Sequence, residues 1–354
     1  MKGEMMLKKL TIVLAVILTL VLGILGSIYW QQGKKTLIDH QKTAQNPESN
    51  SERQNAEEEV KPRNKSTEEK QAVMEADAER MNVLGLYYDY ANMSLVDTVN
   101  TFLAEQGIDQ SQVAFSYKNT ATNEAFSMND TQLMTAGSTY KLPLNMLVVD
   151  EVAKGKYNYE QRFDITNTDY EFQGEHDTYV NNYGGSMSIP EMQYGSLVIS
   201  ENTPAHALGN LLGGIETAYG MYTRYGKSNS PDVPAFQLEG NKTTTSYYIQ
   251  VLDYLYKHQE KYSDLLYYIG ESFPDEYYKT YLPEDMTIYQ KPGYVREALN
   301  IDAIVMESSP YLIAIYTRYL GGSTEESSEI NNYGYSQLAM MTYVINEWHR
   351  VNMN

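Results

Sequence analysis

The sequence contains no cysteine. Disulfides, thiolate metal sites, a cysteine nucleophile and a lipid-modified N-terminal cysteine are all excluded. Positive charge is scarce: Lys+Arg 27 stands against Asp+Glu 46, a formal charge of -19. Such a chain repels phosphate backbones, so nucleic acid is not expected as a partner. Histidine is sparse as well. Its five positions, 40, 176, 206, 258 and 349, are scattered and form no ligand-like pair, so no metal site is expected. Phenylalanine is rare (7) while tyrosine is abundant (33). This fits half-buried aromatic positions that keep a hydroxyl near water or a polar partner.

Against these absences stands one long apolar run, Leu10 to Trp30, "LTIVLAVILTLVLGILGSIYW", which carries no charge. At about 1.5 Å per residue a helix of that length reaches roughly 30 Å, enough to cross a bilayer. Lys2, Lys8 and Lys9 precede it, and Tyr29 and Trp30 close it. We read residues 1–34 as a membrane anchor spanning about 10–30, with the rest of the chain outside the cytoplasm. A cleaved signal peptide is the competing reading. Residues 35–83 are dominated by Glu, Lys, Gln, Asn and Ser, as in "NPESNSERQNAEEEVKPRNKSTEEKQ", and read as a disordered or partly helical tether. Residues 84–354 have globular patterning and no internal repeat.

Within that region helical spacing predicts helices over 94–106, 141–153, 204–212, 245–262 and 335–351. Alternation predicts strands over 112–117, 124–128, 301–307 and 311–316. Helix, hairpin, a helical middle, more strands and a closing helix describe an α+β fold in three α/β/α layers. Its sheet would be mostly antiparallel, with a helical subdomain beside it.

Three short motifs carry chemistry. The first, "TAGSTYKLPLN", sets Ser138 and Lys141 three residues apart where an apolar helix begins. Ser138 could simply cap that helix while Lys141 meets water. Alternatively the two share a helix face, and the positive potential of the helix's first free N–H groups lowers the lysine's pKa so that a neutral amine could take the serine proton. The second, "SLVISENTPAHALGNLL", places Ser200 and Asn202 at the end of an apolar run, where Asn202 or Thr203 could cap the helix opened by Pro204. The third, Lys291-Pro292-Gly293, stands at the start of the strand region and could be a plain turn.

Taken in order, S-x-x-K, S-x-N and K-x-G resemble the penicillin-recognising serine hydrolases, which include class A β-lactamases and D,D-peptidases. The resemblance covers about residues 90–354. It implies that Ser138 is the acylated nucleophile, that Lys141 accepts its proton, and that Ser200 passes a proton to the leaving nitrogen. Asn202 would bind the substrate's side-chain amide and Lys291 its carboxylate. Gly293 would belong with them to the substrate-binding residues, and the N–H groups of Ser138 and Tyr294 would form the oxyanion hole. Arg296 would be an extra carboxylate partner. The implied substrates are β-lactams or peptidoglycan stem peptides, with no cofactor and a monomeric catalytic domain. A penicillin-binding D,D-peptidase or transpeptidase is the alternative, and a non-catalytic cell-wall-binding or sensor domain the second.

Two departures bear on activity. Pro292 stands where the family carries a hydroxyl residue, and Glu201 where it carries Asp. In "GKSNSPDVPAFQLEGNKTTTSYY" the Glu-x-x-x-Asn pattern that frees the acyl-enzyme is missing. Glu239 lies too close to the Thr243-Thr244-Thr245 exit and Asp232 is a remote substitute, so deacylation is expected to be slow.

Overall fold

The computed structural model describes residues 65–295, 297–320 and 332–353. The anchor at 10–30, most of the tether and Arg296 lie outside the described residues. Among the described residues no helix is long and apolar enough to cross a membrane.

Five antiparallel strands form the main sheet: β1 (Val113–Asn119), β2 (Ala125–Met128), β3 (Ile288–Val295), β4 (Ala298–Val305) and β5 (Tyr311–Thr317). Their order is β2-β1-β5-β4-β3, which leaves β3 at an edge. Val113, Phe115 and Tyr117 face one side of β1, in register with Thr317, Ile315 and Ile313 of β5. That side packs with Ile301, Ala303 and Val305 into the main core. The opposite side carries Ser116, Asn300, Asp302 and Tyr316, all buried and all polar or hydroxyl-bearing. Lys291, in register with Asp302, reaches Ser200 of the second motif.

Among the described residues ten α-helices accompany the sheet: α1 (Thr67–Leu84), α2 (Leu95–Glu105), α3 (Lys141–Ala153), α4 (Gln173–Asn182), α5 (Ile189–Leu197), α6 (Asn202–Leu211), α7 (Ile215–Met221), α8 (Thr245–Lys257), α9 (Ser263–Gly270) and α10 (Asn332–Asn352). On the apolar face α2 and α10 bury Val99, Phe102, Leu103, Leu338, Met341, Ile345 and Trp348. On the polar face α8 packs against β1 and β5, and Ser116 Oγ donates to Thr245 Oγ1 at 2.9 Å. Helices α4 to α7 form the subdomain that closes over α3. The expected layering is therefore present.

Two expectations need correction, and one competing reading falls away. Composition puts the start of the globular region at 84, yet Thr67–Leu84 folds as α1 with Met74 and Met81 in the main core. Ser66 caps it with a reciprocal Glu69 contact. Two methionines seven residues apart supply one apolar seam, too thin to stand out from so polar a stretch. The helix expected over 245–262 ends at Lys257. Its apolar spacing runs on through Tyr262, but the chain turns so that Lys261 and Tyr262 reach Asp150 at 2.5 and 2.7 Å. Lys291-Pro292-Gly293 is not a turn but the middle of β3, in register with Asp302, Ile301 and Asn300. Pro292 has no ladder N–H to give, which an edge strand tolerates.

Candidate active site

Why does an apolar helix begin with a lysine? The chain reaches α3 through a 3₁₀ turn, Gly137–Tyr140, rather than through a side-chain cap. Gly137 has φ +56, and a Cβ there would fall 2.7 Å from Tyr294 N. Gly293 is equally constrained, since a Cβ would meet Ala136 O at 2.5 Å and Thr139 N at 2.7 Å. Two glycines thus let β3 lie directly on the turn that carries Ser138. Asn300 clamps the turn from below, its Nδ2 donating to Thr135 O at 2.7 Å and Ala136 O at 3.1 Å.

This packing gathers the residues singled out from sequence. Lys141 is fully buried, and its Nζ donates to Ser138 Oγ at 2.9 Å, Ser200 O at 2.5 Å and Asn202 Oδ1 at 2.7 Å. Lys291, also fully buried, donates to Ser200 Oγ at 2.7 Å. Ser200 therefore meets one lysine through its carbonyl and the other through its hydroxyl. It does so from a left-handed conformation, φ +63, which costs a non-glycine residue roughly 1–3 kcal/mol. Gly293 and Tyr294 lie beside the turn that carries Ser138, and the Tyr294 side chain is exposed.

The capping role that sequence allowed for Asn202 and Thr203 is not what the structure has. Asn202 is the first residue of α6, and its side chain turns to Lys141 and to Glu171 Oε2, 3.1 Å from Nδ2. The helix end is satisfied from elsewhere: Thr203 N–H donates to Glu175 Oε1 at 2.5 Å. His206 stands in α6 with Nε2 3.9 Å from Glu171 Oε1.

Electrostatics follow from burial. Loss of solvent lowers the Lys141 pKa from 10.5 to about 8, against the raising effect of Glu175, Glu171 and Glu201. Burial also takes Lys291 well below its usual value, with the Lys141 charge adding and Asp302 opposing. Burial pushes Glu201 up to about 7, and its contact with the Glu175 carboxyl and charge adds to this. Burial acts upward on Glu175 too, but hydrogen bonds from Glu201 and Thr203 bring it below the usual value. The two carboxyls thus share a proton near neutral pH.

Sequence reading missed the acidic group Glu171, Glu175 and Glu201 as neighbours of Lys141; only Glu201 was visible, as a departure from a motif. It also missed Asp302, buried opposite Lys291, which accepts from Tyr316 OH at 3.1 Å. Tyr316 OH in turn lies 2.7 Å from Thr139 Oγ1, next to Ser138 in the chain.

Behind the nucleophile turn the loop after α7 contributes an amide. Asn241 O accepts from Ala136 N at 2.7 Å, and Asn241 Nδ2 donates to Gly137 O at 3.1 Å. Tyr219, Tyr222 and Phe236 stack behind it, with Tyr140 against Tyr219. Asp232 and Glu239 are exposed on the same loop.

A family profile described as "Beta-lactamase enzyme family" matches residues 94–334. Comparison with curated proteins gives no match. Among solved structures, the class A β-lactamase of the last common ancestor of Gram-negative bacteria is similar with a TM-score of 0.59 and 19% identity. The similarity covers 72% of this chain and 98% of that one. A β-lactamase from Chitinophaga pinensis is similar with a TM-score of 0.56 and 17% identity, over 71% and 97% of the two chains. At such identities the likeness speaks for the fold, a class A β-lactamase-like α+β arrangement. The profile match spans more than half of the sequence, and the chain belongs to the β-lactamase enzyme family.

Proposed function

We propose that the protein is a serine hydrolase that forms an acyl-Ser138 intermediate with β-lactams or D-alanyl peptides and releases the acyl group slowly. The observation that carries this reading is the set of partners around Lys141. A neutral amine has two N–H bonds and one lone pair. Ser200 O and Asn202 Oδ1 take the two N–H groups, leaving the lone pair for the Ser138 hydroxyl, 2.9 Å away. The site thus suits the amine as a base.

In the proposed step the Ser138 proton passes to Lys141 Nζ as Oγ bonds to the carbonyl carbon. The oxyanion would face the backbone N–H groups of Ser138 and Tyr294. Ser200 Oγ, held by Lys291, would hand its proton to the departing nitrogen as the C–N bond breaks, and the proton gained by Lys141 would pass back to restore the Ser200 hydroxyl. Lys291 would draw the substrate carboxylate to the β3 edge, without the hydroxyl that Pro292 replaces.

Slow release rests on the loop behind Ser138. It offers an amide, Asn241, and a wall of tyrosines, while its carboxylates Asp232 and Glu239 face solvent. That observation favours the penicillin-binding D,D-peptidase or transpeptidase as the second reading. The apolar run at 10–30 supports placing the catalytic domain on the outer side of a membrane. Protease added to intact cells would then remove the C-terminal domain. Mixing the protein with nitrocefin separates the two catalytic readings. One equivalent of colour change followed by a slow steady state supports slow deacylation, and sustained fast turnover overturns it.

A further inference from the structure

The turn that carries Ser138 is gripped through three successive carbonyls. Asn300 Nδ2 donates to Thr135 O and Ala136 O from the sheet. Asn241 Nδ2 donates to Gly137 O at 3.1 Å from the loop after α7. The third contact differs from the first two in what it holds. Gly137 O and Ser138 N belong to one peptide unit, which is planar and trans. Its carbonyl and its N–H point in opposite directions. An amide that draws Gly137 O toward the loop therefore turns the Ser138 N–H away from it.

This peptide needs such a hold. A Cβ at Gly137 would fall 2.7 Å from Tyr294 N, so the position must be glycine, and glycine resists rotation of the neighbouring peptide least. The 3₁₀ turn at Gly137–Tyr140 has poorer hydrogen-bond geometry than an α-helix. Asn241 is itself held firmly. Tyr219 OH donates to Asn241 Oδ1 at 3.1 Å, which leaves Nδ2 to face Gly137 O. Tyr219 is buried, with its ring against Tyr140, Tyr222 and Phe236. The Asn241 backbone closes the clamp, accepting from Ala136 N at 2.7 Å and donating to Leu238 O at 3.0 Å. Its φ of +49 lies in the left-handed region, which Asn enters more readily than most residues.

We propose that Asn241 is a positioning residue that aims and strengthens the Ser138 N–H for the oxyanion formed during acylation. The proposal rests on the acyl-serine reading above and deepens it. The clamp sets the donor before substrate arrives, so no reorganisation is needed as charge develops on the carbonyl oxygen. A hydrogen bond accepted by Gly137 O also polarises the peptide, which makes its N–H a stronger donor. The loop thus serves acylation, although its carboxylates Asp232 and Glu239 face solvent.

The test compares the full-length protein with Asn241→Gly and Asn241→Asp. The glycine tolerates the left-handed backbone and removes the amide. The aspartate keeps an acceptor for Tyr219 and loses the donor to Gly137 O. Each variant decides on its own, should the other not fold. Acylation by benzylpenicillin is timed by intact mass, and isotope-edited infrared spectroscopy records the stretch of the acyl-Ser138 carbonyl. That band falls in wavenumber as hydrogen bonds to the carbonyl oxygen strengthen, so it reports the oxyanion donors themselves. Acylation should slow by about tenfold, part of the roughly hundred- to thousandfold that loss of an oxyanion donor costs. The carbonyl band should move to higher wavenumber in the same variants. Slower acylation with an unmoved band, or an unaltered rate, overturns the positioning role and leaves the acyl-serine reading intact. No adduct on the unsubstituted protein overturns both.

Discussion

Lys141 is the residue whose titration should be visible in the rate of acylation. Its pKa of about 8 lies below the ordinary 10.5 because burial disfavours the ammonium more than Glu175, Glu171 and Glu201 support it. A fall of about 2.5 units is roughly 3 kcal/mol between the two protonation states. At pH 7 about a tenth of the molecules hold a neutral amine, against about 0.03% for an unperturbed lysine. If that amine takes the Ser138 proton, acylation should rise nearly tenfold from pH 6 to pH 7 and level off above about pH 8. Quenched-flow mixing with benzylpenicillin, followed by intact mass, measures the rate at each pH. Glu175→Gln removes the strongest of the three supporting charges, so the midpoint should move to lower pH. A midpoint near 10, or an upward shift in Glu175→Gln, would refute Lys141 as the base. Stability carries the same sign: the unfolded chain holds the extra proton between about pH 8 and 10.5, so this group stabilises the fold as pH rises through that window.

Other perturbations follow from the packing. Gly293→Ala drives a Cβ to 2.5 Å from Ala136 O. Acylation should fall by about a hundredfold from the displaced nucleophile turn, read by the same mass assay. His349 is buried and its pKa lowered to about 3, by burial first and then by the Lys65 charge. The unfolded chain gains a proton near pH 6.5, so stability should drop by about 1.4 kcal/mol per pH unit on acidification below that value. In denaturant titrations His349→Gln should flatten that slope. Asp150 accepts from Lys261, Arg224, Tyr225 and Tyr262, tying α3 to the segments after α7 and α8. Asp150→Ala should cost roughly 2–3 kcal/mol by chemical denaturation, less than a fully enclosed pair because Arg224 and Lys261 keep contact with solvent.

The candidate site residues were legible because each motif is local. Three residues of helix set Lys141 beside Ser138, and two residues of turn set Asn202 beside Ser200. The glycine of the third motif was legible as a type, but its reason is a contact with Ala136 and Thr139 more than 150 positions earlier. What sequence could not show depends on contacts of the same long range. Glu171 and Glu175 precede the second motif by about thirty residues and reach it only because α4 packs on α6. Asp302 joins Lys291 through strand register alone. That helix α1 packs into the core was missed for a different reason: its two core methionines are diluted by charged neighbours.

The account depends on Ser138 being the atom that bonds to substrate. Incubation of the protein with benzylpenicillin, followed by peptide mapping on a mass spectrometer, tests this directly. A single penicilloyl group on the peptide containing Ser138, absent from Ser138→Ala, is the result predicted. An unmodified protein, or an adduct that persists in Ser138→Ala, would contradict it.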